Sequence, residues 1–270
     1  MMIKHIFSDM DGTILNNAGY VSDENASIIK KANIPFTLVS ARAPMEMSEA
    51  MDKLDLKTPQ IGFNGGLIFE KLNNDIKVID AQPIDLSVAK RVFEIIQDKF
   101  NSVSLSWYDL NHWYSERIDD GIKLERNYTN RDATLMSADN FFAQKNATVF
   151  KLMMILFDKQ TMHDLKQYLN EQNLPGVSIQ QSSDTYLEIT SDKALKSRGI
   201  QYIIDHENLH RNEMMAFGDG HNDLPMLEMV DYPVVMQNAL PDILKVGKFI
   251  TKSNEDNGVG YAMKTYLKTI

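Results

Sequence analysis

Cysteine is absent from the 270 residues, which excludes disulfides, thiolate metal sites and a cysteine nucleophile together. Also missing is any apolar run of the roughly 18 residues that a membrane-spanning helix needs. The N-terminus leads directly into a short apolar strand pattern without the blocks of a signal peptide, so a soluble cytoplasmic protein is expected. Positive charge is in short supply: 28 Lys and Arg face 37 Asp and Glu, for a net charge of -9. That balance argues against nucleic acid or an anionic membrane as the main partner. Heptads, solenoid periods and low-complexity tracts are also lacking. The remainder is an ordinary globular composition, 43% hydrophobic, sufficient for two modest domains or one large one.

Within that ordinary composition, acids follow apolar strand patterns at two distant places. Ile3, Ile6 and Phe7 read as a short buried strand, and Ser8-Asp9-Met10-Asp11-Gly12-Thr13 follows, with turn chemistry in Asn16-Asn17-Ala18-Gly19. Paired carboxylates at a strand end can hold a hard cation, one acting as nucleophile and the other as acid and base. An EF-hand calcium loop is excluded, because position twelve counted from Asp9 is Tyr20. Much later, Met214-Met215-Ala216-Phe217 reads as a second buried strand, followed by Gly218-Asp219-Gly220-His221-Asn222-Asp223 and an apolar helical stretch over 224–230.

Between these poles the pattern alternates. A helix capped by Ser22 or Asp23 runs to Ala32, a strand covers 36–39, and Ser40 follows it. The hydroxyl of Ser40 suits a helix N-cap for the segment starting near Pro44, or a ligand oxygen, or both. A helix over 45–54, a strand over 59–63 and a hairpin of 67–70 with 77–80 across Asn73-Asn74 come next. From Ser87 apolar positions recur at helical spacing; 103–107 and a return strand from Trp113 alternate; 118–146 reads as loop and short helix. A strong strand over 148–157, a helix through Met162, Leu165 and Leu169, and a hairpin of 177–181 with 185–189 complete an α+β insert. A helix over 194–207 then opens further alternating units, with strands at 232–236 and 249–251 and a helix over 259–267. Lys193 and Lys196 both fit the start of the 194–207 helix.

The ordered set Asp9-x-Asp11-Gly12-Thr13, Ser40, Lys196 and Gly218-Asp219-x-x-Asn222-Asp223 resembles the haloacid dehalogenase superfamily of aspartyl phosphotransferases, and within it the Cof-type sugar phosphatases. Phe63-Asn64-Gly65-Gly66, Leu187-Glu188-Ile189, Asn238-Ala239 and Asn254-Glu255-Asp256-Asn257-Gly258 add to the match, which spans essentially the whole chain. The resemblance implies an α/β fold: a Rossmann-like, doubly wound, mainly parallel sheet core over 1–82 and 187–270, with an inserted α+β cap over 83–186. It implies hydrolysis of a small-molecule phosphomonoester, sugar phosphates foremost, with a phosphomutase or a non-catalytic phospho-ligand or phospho-relay protein as rival readings.

The roles that the resemblance carries over are specific. Asp9 is the nucleophile that becomes an aspartyl phosphate, and Asp11 is the acid and base. Ser40, Lys196 and Asn222 bind the phosphoryl group. Lys196 is preferred to Lys193 for its seven-residue interval after Ile189, although Ser197 stands where relatives often have glycine, as Ala41 does after Ser40. Mg2+ is the expected cofactor, with carboxylates of Asp9 and Asp219, the backbone carbonyl of Asp11, and Asp223 supporting the ion's waters. His221 reads as incidental and Arg42 as an ion-pair donor. Because the core acids grip only the shared phosphoryl group, discrimination is expected from the insert, where Trp107, Tyr108, Trp113, Tyr114, Arg117 and Lys123 gather. Strand alternation points Trp107 and Tyr108 to opposite faces, one of them available to a ligand.

Overall fold

The computed structural model describes residues 2–72 and 75–268, which divide into two compact units. The first comprises Met1–Arg42, Glu46–Ala81 and Leu195–Ile270; the second comprises Ala43–Met45 and Gln82–Ala194.

The first unit opens with β1 (His5–Ser8), buried throughout as a strand in the middle of the sheet, with its polar ends His5 and Ser8 buried alongside Ile6 and Phe7. Helix α1 (Asp23–Ala32) starts where the Ser22 hydroxyl accepts the Asn25 N–H, has Asp23 and Glu24 in its positive first turn, and ends on the left-handed Asn33. Strand β2 (Phe36–Leu38), helix α2 (Pro44–Leu54) and the meander β3 (Gln60–Gly62), β4 (Leu67–Leu72) and β5 (Asp75–Ala81) follow. The hairpin of β4 and β5 is longer than its apolar pattern suggested, and its expected turn at Asn73-Asn74 lies outside the described residues.

The second unit contains α3 (Leu86–Lys99), β6 (Ser104–Tyr108), β7 (Trp113–Ser115), α4 (Asp120–Thr129), β8 (Thr134–Leu135), α5 (Ala138–Phe142), β9 (Lys151–Ile155), α6 (Lys159–Glu171), β10 (Val177–Gln181) and β11 (Tyr186–Ser191). Its strands order as β10-β11-β9-β6-β7-β8 among the described residues. Trp107, Leu152, Met154, Leu187 and Ile189 point from this sheet into one apolar cluster with Val92 and Ile96 of α3, Phe141 of α5 and Leu165 of α6. The stretch over 118–146, expected to be loop and short helix, holds α4, the two-residue β8 and the short α5, and α4 is its longest element. The buried residues of α4 are only Gly121, Ile122 and Glu125, so the sequence shows no apolar stripe; the Asp119 cap on the Ile122 N–H supplies its start instead. The boundary expected between 186 and 187 falls within β11, which pairs with both β9 and β10. The second unit therefore continues to Ala194.

Back in the first unit come α7 (Lys196–Glu207), β12 (Met214–Gly218), α8 (Leu224–Leu227), β13 (Tyr232–Val235), β14 (Phe249–Ile250) and α9 (Gly258–Tyr266). Helix α7 begins two residues later than its pattern suggested, because Leu195 is extended and Ala194 closes a turn onto Ser191. The central sheet orders as β14-β13-β12-β1-β2, every neighbouring pair parallel, and a parallel bridge from Val39 to Ile61 extends it toward β3. With β12 on one side of β1 and β2 on the other, the strand order reverses at β1. In an open parallel sheet the crevice beyond that switch point is where ligands bind.

Candidate active site

Four chain segments leave the C-terminal edge of this sheet or abut it: the turn after β1, the turn after β2, the start of α7 and the turn after β12. The turn after β1 carries Asp9, buried, and Asp11, half exposed. Gly12 adopts φ +75° there, and a Cβ on it would sit 2.4 Å from Asp219 Oδ2, so only glycine lets the two turns approach this closely. One further bond joins them, from Thr13 Oγ1 to Asp219 Oδ1 at 2.7 Å, and Asn238, beyond β13, donates its Nδ2 N–H to the Gly12 carbonyl at 2.8 Å.

Lys196, in the first turn of α7, reaches into this group. Its ammonium donates to Asp9 Oδ1 at 2.5 Å and to Asp223 Oδ1 at 2.7 Å. Lys193, the sequence's other candidate, is exposed. Asp223 is fully buried, and its second oxygen accepts the N–H groups of Asp219 (3.0 Å) and Gly220 (2.9 Å). Asp223 thus braces the turn that presents Asp219 while facing Lys196. Asn222 lies exposed on the same turn, and His221 pairs with Asp242 at 2.7 Å.

On the opposite flank Ser40 is buried, and its Oγ accepts the Arg42 N–H at 3.2 Å. Helix α2 starts four residues beyond Ser40, so its hydroxyl organises the turn after β2 and does not cap the helix. Arg42 grips Asp11 in a two-pronged pair, Nε to Oδ2 at 2.9 Å and Nη2 to Oδ1 at 2.6 Å. That pair and the Thr13 bond to Asp219 are the contacts for which the sequence reading assigned no role at the site. Bidentate geometry is a property of arginine forks, but partner choice across 31 residues is not legible from spacing.

The electrostatics follow from this crowding. Asp9 is held well above the usual carboxylate range, first by burial and next by the neighbouring Asp223 charge, with Lys196 pulling the other way. Asp219 is pushed up to about 6, chiefly by burial, against the Thr13 hydrogen bond. Burial opposes the charge on Lys196, yet Asp9 and Asp223 outweigh it and hold the ammonium above the ordinary lysine range. Asp9, Asp219 and Asp223 each offer an oxygen within 4.8 Å of the others. Three converging carboxylates, two of them resisting ionisation, form an all-oxygen donor set that suits a hard divalent cation. The carboxylate of Asp11 is turned to Arg42 and stands apart from that set.

In the second unit the aromatic cluster differs from expectation. Trp107, Tyr108, Trp113 and Tyr114 are all at most 5% exposed. Alternation does send them to opposite faces: Trp107 stacks with Tyr114 in the apolar cluster, and Tyr108 stacks with Trp113 on the other face. There the Tyr108 hydroxyl donates to buried Glu125 at 3.3 Å and Lys151 lies over its ring. Arg117 bonds Asp119 and the carbonyls of Asn101 and Val103, and Lys123 pairs with Asp120. These side chains build the second unit; none of the four aromatics is an exposed platform.

Comparison with known proteins agrees with this arrangement. A family model described as haloacid dehalogenase-like hydrolase matches residues 6–263. The chain is 27% identical over 292 residues to the 5-amino-6-(5-phospho-D-ribitylamino)uracil phosphatase YwtE of Bacillus subtilis, covering 98% of each. It is 25% identical over 303 residues to the phosphatase YwpJ of the same organism, covering 98% of this chain and all of that one. Among solved structures, TM0651 of Thermotoga maritima superposes with a TM-score of 0.87 at 26% identity over 97% of each chain.

Proposed function

The chain belongs to the haloacid dehalogenase-like hydrolases, and from that membership we propose that it is a magnesium-dependent phosphomonoester hydrolase working through an aspartyl phosphate on Asp9. The observation that carries the reading is the buried Asp9 carboxylate, bonded by Lys196 at 2.5 Å and grouped with Asp219 and Asp223. The substrates proposed are small phosphorylated metabolites, sugar and polyol phosphates foremost; the relative named for a phosphorylated ribitylamino compound acts within that class.

In this reading Asp9 attacks the phosphorus in line as the alcohol departs, and water then cleaves the acyl phosphate to regenerate the carboxylate. Asp11 gives a proton to the leaving oxygen in the first step and takes one from the attacking water in the second. Its two oxygens are both engaged by Arg42, so Arg42 must yield at least one of them for this role. Lys196 and the Ser40 hydroxyl hold phosphoryl oxygens, with Asn222 as a further donor, and Lys196 neutralises charge that builds in the transition state. Mg2+, held by Asp9, Asp219 and the Asp11 carbonyl with Asp223 behind them, would supply the positive charge that lets an anionic nucleophile approach an anionic ester. A cap role for the second unit belongs to the same proposal.

Phosphate release from a panel of phosphomonoesters, with magnesium and with chelator, tests the reading. Magnesium-dependent release that disappears in Asp9→Asn supports it. Isomer formation from a hexose phosphate without phosphate release would favour a phosphomutase, and inactivity across the panel would overturn the proposal.

A further inference from the structure

Between the Ser40 turn and the start of α7 lies a three-residue segment whose backbone is unusual. Phe63, Asn64 and Gly65 have φ of 50°, 56° and 95°, so three consecutive residues occupy left-handed space. Asparagine and glycine tolerate that region; a buried phenylalanine rarely enters it unless its surroundings hold it there. The Oδ1 of Asn64 does not fix the conformation, since it is buried without a hydrogen-bond partner. The backbone does. The Phe63 N–H donates to the Arg42 carbonyl at 3.0 Å and the Asn64 N–H to the Ser40 carbonyl at 2.8 Å. On the other side, a Cβ on Gly65 would lie 2.1 Å from the carbonyl oxygen of Leu195, the residue before Lys196. Arg198, one helical step on, donates to the Gly65 carbonyl at 3.2 Å and also pairs with Asp80.

We propose that the left-handed turn Phe63–Gly65 is a spacer that sets the separation of Ser40 from Lys196, with Gly65 and Arg198 as its positioning residues. The assignment of Ser40 and Lys196 to a phosphoryl group rests on the phosphatase reading above. One face of the turn is bonded to the carbonyls of Ser40 and Arg42, and the other abuts Leu195 with no room for a methyl group. A side chain at Gly65 pushes the first turn of α7, and with it the ammonium of Lys196, away from Ser40. An asparagine-glycine turn chosen only to reverse the chain would need neither the left-handed Phe63 nor the contact with Leu195.

Gly19 provides the control, because it has φ +83° and nothing within 4 Å of its Cβ position. Alanine at either glycine incurs left-handed strain, whereas only Gly65→Ala presses on α7. Binding of inorganic phosphate in magnesium, measured by calorimetry, and kcat for an aryl phosphate are compared in both variants. Gly65→Ala is expected to weaken phosphate binding about tenfold and lower kcat by up to about a hundredfold, as misplacement by about an ångström does, while Gly19→Ala stays within about twofold. Arg198→Ala should weaken phosphate binding in the same sense, and Arg198→Lys should recover part of it. A folded Gly65→Ala that binds phosphate like wild type overturns the spacer, as does an equal loss in Gly19→Ala. If Gly65→Ala does not fold, unchanged phosphate binding in Arg198→Ala overturns it. Wild-type protein that binds phosphate but hydrolyses no ester would overturn the phosphatase reading and leave the spacer standing.

Discussion

The Lys196 ammonium lies 2.5 Å from Asp9 Oδ1 and 2.7 Å from Asp223 Oδ1, with all three side chains buried. One cation thus holds two acids from opposite ends of the chain beside each other. Removing it leaves two carboxylates facing one another without compensation, a loss of about 3–5 kcal/mol for a buried pair. Lys196→Met should lower the melting temperature of the metal-free protein, with magnesium recovering part of it, and reduce kcat by about 10²–10³-fold. Lys193→Met, at an exposed position, should change neither. Thermal melts and kinetics on the two variants decide which lysine serves the site.

The second prediction concerns Asp11. Asp11→Asn should slow esters of poorly departing alcohols by about 10²–10⁴-fold and activated aryl phosphates much less, because proton donation matters only when the leaving group is basic. A leaving-group series on wild type and variant checks this. Equal losses across the series would assign Asp11 a structural role beside Arg42.

Metal binding should depend on pH in a defined direction. Asp219 titrates at about 6 in the folded protein against about 3.9 in an unfolded chain. A raised carboxylate contributes stability that is fully present below the unfolded value and is lost as pH rises through the folded one. The metal-free protein should therefore lose stability from about pH 4 to just above pH 6 through Asp219, and Asp9, shifted the same way, adds to the loss. The increase in melting temperature given by excess magnesium should grow over that window, because a cation requires the ionised acids. A magnesium shift independent of pH there would remove Asp219 from the metal set.

A fourth prediction follows from the second unit. Tyr108, Tyr114, Arg117 and Lys123 are bonded to Glu125, Asp109, Asp119 and Asp120 of their own unit. Tyr108→Phe and Arg117→Ala should lower stability by about 1–3 kcal/mol while leaving the ratio of kcat/KM between two candidate phosphomonoesters unchanged. A changed ratio at unchanged stability would return these side chains to substrate recognition.

These cases mark where sequence was informative. Acids directly following a short apolar strand could be read at both Asp9 and Asp219, since strand ends and turn glycines impose local patterns. The alternation that sends Trp107 and Tyr108 to opposite faces was equally legible. What covers each face was not: Tyr108 is buried by α4, whose polar sequence conceals a helix held by the Asp119 cap and the Glu125 bonds. The fork of Arg42 on Asp11 and the left-handed Phe63 were hidden for a related reason. Both depend on contacts among turns that meet only when the sheet assembles, and a phenylalanine carries no signal for positive φ.

Transfer of the phosphoryl group to Asp9 is most directly tested by acid-quenching the enzyme within the first turnover of a radiolabelled phosphomonoester in magnesium and mapping the labelled peptide. The account predicts label on the peptide containing Asp9, labile to hydroxylamine and absent from Asp9→Asn. Full single-turnover phosphate release with no label on that peptide at any quench time would contradict it.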